Sequence, residues 1–141
     1  MFSQACKYAM RAMLYLSEHA SAERKMGVKE LSDELDIPQP YLAKVLQNLA
    51  RQRLIASAKG PNGGFYLEED QQENKLADII AQIDGEDFFS ACVMGLPVCS
   101  AQNPCPLHVQ AYAYREGLVY QLRNNTIREM ARKVRRENLK L

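Results

Sequence analysis

The sequence predicts a mainly α chain carrying one small β-hairpin, and three observations predict it. Apolar residues recur at helical spacing in five separate stretches between residues 3 and 124. A glycine-rich turn between two short runs follows the third stretch at once, which is a hairpin signal. A proline-punctuated segment holding three of the chain's four cysteines interrupts the pattern before the fifth. At 141 residues the chain suits one domain with an extension, large enough to bury an ordinary core.

The first helix is expected over roughly residues 3–20, with Ala5, Ala9, Ala12, Met13 and Leu16 on one face and Lys7, Arg11 and Glu18 on the other. Cys6 falls on the apolar side and reads as a buried structural thiol. His19, at the end of this helix, reads as a surface residue. A polar loop from Ser21 to Met26 precedes a short second helix marked by Val28, Leu31 and Leu35, which Pro38 stops. A third helix runs from Gln39 or Pro40 to Arg53, with Leu42, Val45, Leu46 and Leu49 at i, i+3, i+4 and i+7.

The other face of that third helix is polar. At about 100° per residue, Pro40, Tyr41, Lys44, Gln47, Asn48 and Arg51 share roughly a third of the circumference. Gln and Asn pair bidentately with adenine, and Lys and Arg reach guanine or phosphate, so the face has the chemistry of a major-groove reader. Most helices also have a plain solvated face, and the following residues weigh against that reading. Leu54–Ala58 and Phe65–Leu67 flank the turn Lys59-Gly60-Pro61-Asn62-Gly63-Gly64, a hairpin placed where a wing follows a recognition helix. Lys59 supplies charge, the glycines allow close backbone approach, and Pro61 offers a stiff apolar tip. A nucleotide-binding glycine loop opens onto a helix, whereas this one leads into a strand. The expected fold is therefore a winged helix-turn-helix.

Charge distribution agrees. Residues 40–67 carry four bases and no acid, residues 68–122 carry nine acids against Lys75 and Arg115, and residues 123–141 carry seven bases against two acids. The net charge of +1 thus hides a local basic face, the feature that binds phosphate. Beyond the wing, Glu68–Glu73 reads as a polar connector, and Leu76, Ile79, Ile80 and Ile83 mark a fourth helix ending near Asp84-Gly85. A longer helix is expected from Leu107 to Asn124, with Ala111, Leu118, Val119 and Leu122 on one stripe. Thr126 and Glu129 form a capping box for a last short helix, which trails into the basic, solvated segment Arg132–Arg136.

The segment CVMGLPVCSAQNPCPLH carries the second chemistry. Cys92, Cys99 and Cys105 are separated by six and five residues, and His108 stands three positions beyond the last thiol. Pro97, Pro104, Pro106 and Gly95 keep it from being a regular helix or central strand, so it is a loop whose shape something else must hold. Thiolates with an imidazole suit zinc or an iron–sulfur cluster. The spacing is too open for the usual zinc knuckle with two residues between paired cysteines. A disulfide and unligated redox-sensing thiols are the other readings. The N-terminal stretch has Lys7 and Arg11 inside its apolar run and no run of about eighteen apolar residues occurs, so the chain is expected to be soluble and cytoplasmic, with no membrane association.

The opening KYAMRAMLYL, the helix PQPYLAKVLQNL, the wing KGPNGGFYL and the loop ending CPLH together resemble the IscR/NsrR-like family of bacterial winged-helix regulators, over nearly the whole chain and in the family's order. The resemblance implies a homodimeric transcription factor, not an enzyme, whose binding to a near-palindromic DNA operator is set by an iron–sulfur cluster on Cys92, Cys99, Cys105 and His108. It implies residues 1–70 as the DNA-binding domain, 71–106 as linker helix and cysteine loop, and 107–141 as dimerisation helix and basic tail. Members with a 2Fe-2S cluster place a histidine where His108 stands, whereas members sensing nitric oxide through a 4Fe-4S cluster take an acidic ligand from the partner's first helix. Residues 2–11 contain no Asp or Glu, which favours His108 and 2Fe-2S. The six residues between Cys92 and Cys99, where the family has five, leave 4Fe-4S possible. A small iron–sulfur or zinc protein acting as an electron carrier or scaffold component is the alternative.

Overall fold

The computed structural model describes residues 1–141. Ser3 starts α1 (Gln4–His19) as its N-cap, its hydroxyl accepting from the Cys6 amide at 3.1 Å. Its own amide and hydroxyl donate to Asp84, which fastens the start of α1 to the end of a later helix. Cys6, Ala9, Ala12, Met13 and Leu16 are fully buried, whereas Ala5, expected on that face, is exposed in the first turn, and α1 is the helix around which the others pack.

The second helix, α2 (Val28–Leu35), ends at Asp36 in the left-handed region, and Arg11 donates to the otherwise free Leu35 carbonyl. Next comes α3 (Gln39–Arg51), with Pro40 in its first turn, where no amide is needed, and Leu42, Val45, Leu46 and Leu49 buried. It stops two residues short of the Arg53 that spacing alone suggests. Arg53 turns left-handed (φ 59°), its amide reaches the Ala50 carbonyl, and the Leu54 amide reaches Leu49 at 2.9 Å. That pair of bonds is a Schellman ending, built here without glycine.

The wing is β1 (Ala56–Ala58) paired antiparallel with β2 (Gly64–Tyr66), Ser57 opposite Phe65. Phe65 also exchanges two backbone bonds with Met26, which anchors the hairpin to the loop before α2. Two turn glycines are required: Gly60 has φ 100°, and a Cβ on Gly63 would lie 2.3 Å from the Ala58 carbonyl oxygen.

The expected polar connector folds into a short helix, α4 (Glu69–Gln72), because Gln71 is buried and donates to the Arg53 carbonyl at 3.1 Å. After it, α5 (Leu76–Asp84) leads through Gly85 into a 3-10 turn, Glu86–Phe89, that spacing did not indicate. Phe88 stacks on Phe2 at 4.8 Å, and Arg123 lies over Phe89 at 5.1 Å. The long helix α6 (His108–Asn124) is buried only at Val119 and Leu122, while Val109, Tyr112, Tyr114 and Tyr120 are exposed.

The last helix, α7 (Ile127–Arg136), opens at the Thr126–Glu129 capping box as expected, and its bases Arg132, Lys133, Arg135 and Arg136 face solvent. It returns to α1, with Ile127 and Ala131 fully buried, the Ile127 amide on the Asn74 carbonyl, and Arg135 paired with Glu18 at 3.2 Å. One hydrophobic core therefore joins α1, α2, α3, α5, α7 and the end of α6. No helix is long and apolar enough to cross a membrane.

Candidate metal centre and nucleic-acid interface

Between the 3-10 turn and α6 the chain has little backbone bonding of its own. Gly95 closes a turn on the Cys92 carbonyl with φ 68°, Ser100 and Asn103 exchange a pair of bonds, and the His108 amide donates to Cys105 at 3.0 Å. Val93, Met94, Leu96 and Val98 face outward, the first and last 65% exposed. This is the irregular segment that the prolines demand, and its inward groups are the thiols.

The sulfurs of Cys92, Cys99 and Cys105 all lie within 4.8 Å of one another, with Cys92 and Cys105 at 3.9 Å. His108 meets the set through Cys99, its Nδ1 being 3.2 Å from that sulfur. Cys105 is buried and the other two thiols are half-buried. The structure thus brings together all four residues that the sequence singles out in this loop. All four thiols of the chain, Cys6 included, are free.

The backbone amides of Leu96 and then Met94 favour the Cys92 thiolate, and with the neighbouring thiols they bring its pKa down to about 7 despite partial desolvation. Cys99 goes the other way. The Cys105 backbone works to lower it, but desolvation and the thiols of Cys92 and Cys105 leave it above its ordinary value. Three thiols within 4.8 Å of one another in one small pocket offer the soft donors that a metal ion or cluster takes.

Sequence reasoning missed one member of this site. Arg115 lines the same pocket as the three cysteines and His108; its Nη1 donates to the Ala91 carbonyl at 2.6 Å, while its Nε is buried without a partner. The available signal was positional: Arg115 lies seven residues after His108, two turns along the same helix face, in an acidic stretch with only one other base. A buried, unpartnered donor beside three thiols fits an anionic or thiolate-ligated group in the pocket.

Separately, α3 turns Pro40, Tyr41, Lys44, Gln47 and Arg51 to solvent, with Asn48 half-buried. Lys59, Gly60, Pro61 and Asn62 are exposed at the wing tip and Gly63 is half-buried. A cleft between α3 and the wing is lined by Gln47, Arg51, Ser57 and Lys59, so the two polar elements form one surface. Tyr41 is 65% exposed, a large side chain that contributes nothing to this chain's core.

These features have counterparts in known proteins. The fold is shared with CymR of B. subtilis, a global cysteine regulator (TM-score 0.73, 19% identity, 94% of this chain and 97% of that one). It is shared equally with T. potens IscR (TM-score 0.72, 19% identity, 99% and 91%). In sequence, the chain is 30% identical over 131 residues to a protein of Aquifex aeolicus assigned as an HTH-type transcriptional regulator, covering 92% of this chain and 90% of that one. It is 28% identical over 124 residues to the HTH-type transcriptional regulator IscR of Serratia proteamaculans, covering 88% and 74%. These relatives are transcriptional regulators, not enzymes. The model of the Rrf2 family, described as iron-dependent transcriptional regulators, matches residues 2–133, and the chain belongs to that family.

Proposed function

We propose that this regulator binds a near-palindromic DNA operator as a homodimer, and that an iron–sulfur cluster held by Cys92, Cys99, Cys105 and His108 controls that binding. The observation carrying the proposal is the convergence of three sulfurs within 4.8 Å of one another, with an imidazole beside them, on a loop that has few bonds of its own. A 2Fe-2S cluster is favoured over 4Fe-4S, because a histidine stands three residues after the last cysteine and residues 2–11 offer no carboxylate to replace it. When bound, such a cluster would supply lability toward oxidants, nitric oxide or iron limitation.

On this reading, α3 and the wing form the output. Pro40, Tyr41, Lys44, Gln47, Asn48 and Arg51 face the major groove, and Lys59, Gly60, Pro61, Asn62 and Gly63 approach the backbone or minor groove. The exposed Val109, Tyr112 and Tyr120 of α6 pack against a second copy, which removes a large apolar area from water. Two heads related by a two-fold axis then read half-sites whose centres lie roughly 34–36 Å, or a multiple of that, apart. The link between loop and head is short: Ala91 hangs on Arg115, Phe88 stacks on Phe2, and Ser3 holds Asp84. Loop ordering can therefore bias the seating of α1 beneath the DNA-reading helices, to the extent that the two loop states differ in affinity for DNA.

A second reading is favoured by the compactness of the sulfurs. Tetrahedral coordination with metal–sulfur bonds of 2.3 Å spaces sulfurs about 3.8 Å apart, close to the 3.9 Å between Cys92 and Cys105. A single ion such as zinc also satisfies that geometry. Purification without oxygen, followed by visible absorption, iron and acid-labile sulfide assays, separates the two. Iron and sulfide in equal amounts, together with different DNA affinities before and after chelation, are expected. A colourless protein with stoichiometric zinc and no sulfide would overturn the cluster assignment.

A further inference from the structure

The ligand set leaves Arg115 unexplained. Its side chain spans the two roots of the cysteine loop: α6, which begins with His108, carries it, and its Nη1 holds the carbonyl of Ala91, the residue directly before Cys92. Its Nε is buried with no acceptor, and Arg115 itself lines the thiol pocket. A buried guanidinium N–H without a partner loses its hydration and gains nothing, so such a group persists where an acceptor arrives with a ligand. Among the residues lining that pocket, Arg115 alone carries a permanent positive charge. The surrounding sequence sharpens the point, since residues 68–122 hold nine acids and only one other base, Lys75.

We infer that Arg115 is a positioning and charge-balancing residue for the group held by the cysteine loop. One edge of its guanidinium ties the start of the loop to α6, and its Nε–H is offered to the anionic sulfur of the loaded site. This rests on the proposed iron–sulfur reading and extends it to a residue outside the ligand set. Three thiolates concentrate negative charge in a partly desolvated pocket. A fixed cation beside them favours the thiolate-ligated state over the dissociated one, and it favours a reduced group over an oxidised one because reduction adds negative charge. Lysine is an incomplete substitute: it keeps the charge but has no planar fork to hold Ala91 and face the pocket at the same time.

The test compares wild type, Arg115→Gln and Arg115→Lys, each loaded without oxygen. Iron release to excess chelator is expected to accelerate roughly 10- to 100-fold in Arg115→Gln, the range for losing a partner of a metal ligand. Its reduction potential should become more negative, and Arg115→Lys should fall between the two. A potential shift with partial rescue by lysine is not what a merely structural loss produces. Equal release rates and equal potentials in wild type and Arg115→Gln would overturn the inference. A wild type that takes up no sulfide would overturn the iron–sulfur reading separately. Cobalt(II) titration of the metal-free proteins, followed by thiolate-to-metal absorption, then decides Arg115: affinity at least tenfold weaker in Arg115→Gln supports its role, and unchanged affinity refutes it.

Discussion

Cys99 Sγ and His108 Nδ1 stand 3.2 Å apart, although the chain between them passes through the Ser100–Asn103 turn, Pro104 and Pro106. The contact is what the rigid chemistry of that stretch achieves: prolines hold φ near −65° and block helix until residue 108, so the first turn of α6 is delivered to the sulfurs. Nδ1 is consequently the imidazole nitrogen turned toward the thiols. His108→Ala should weaken cobalt(II) binding by at least roughly tenfold, because loss of groups that only support ligands already costs that much. His108→Cys should restore tight binding with one more negative charge. Equal affinity in wild type and His108→Ala would remove His108 from the ligand set.

The α3–wing surface makes a separate prediction about salt. Lys44 and Lys59 are exposed on the two elements that flank the cleft at Gln47 and Arg51. If each neutralises one phosphate, Lys44→Ala and Lys59→Ala should each reduce the slope of log affinity against log salt by about one. Gln47→Ala should instead relax sequence preference and leave the slope unchanged. Duplex titrations at several salt concentrations measure both. A slope unchanged in both lysine variants would move the DNA face elsewhere.

Local chemistry made much of this legible in the sequence. Thr126 caps the helix it precedes, Pro38 stops α2, and the 3.6-residue spacing of Leu42, Val45, Leu46 and Leu49 names the buried stripe of α3. The cysteine loop announced its chemistry by residue type. What stayed hidden depends on contacts between distant segments. The Glu68–Glu73 stretch reads as polar, yet Gln71 is buried because the left-handed turn at Arg53 presents a carbonyl to it. The basic segment Arg132–Arg136 is solvated as it reads, but the seat of its helix depends on Ile127 and Ala131, four residues apart, which turn α7 onto α1. The role of Arg115 depends on the Ala91 carbonyl, which only the fold brings to its guanidinium.

That return of α7 sets an order of stability effects. Ile127 is fully buried, and truncation to Ala should cost about 2–5 kcal/mol. The Thr126 hydroxyl accepts from the Glu129 amide at 3.1 Å, and Thr126→Ala should cost about 1 kcal/mol. Arg128 pairs with Glu69 and Glu73, but Glu69 is 89% exposed, so Arg128→Ala should cost the least of the three. Denaturant unfolding should rank the three in that order. An Ile127→Ala variant as stable as wild type would show α7 to be detached from the core in solution.

Cys6 gives the pH prediction. It is fully buried on α1, and burial first, then the adjacent Asp84 carboxylate, pushes its pKa up from 9.0 to about 12. Only thiolate reacts with iodoacetamide, so at pH 8 the native protein should be alkylated at the loop cysteines after metal removal and spared at Cys6 until it is unfolded. The sign for stability follows from linkage. Folded Cys6 stays neutral where the unfolded thiol ionises, so its contribution is complete below pH 9 and is lost as pH rises from about 9 to 12. Cys6→Ala has no such proton to lose. Its stability, lower at pH 7 because a small cavity remains, should therefore fall less steeply than that of wild type across pH 9–11, and parallel curves would show that Cys6 titrates normally in the fold.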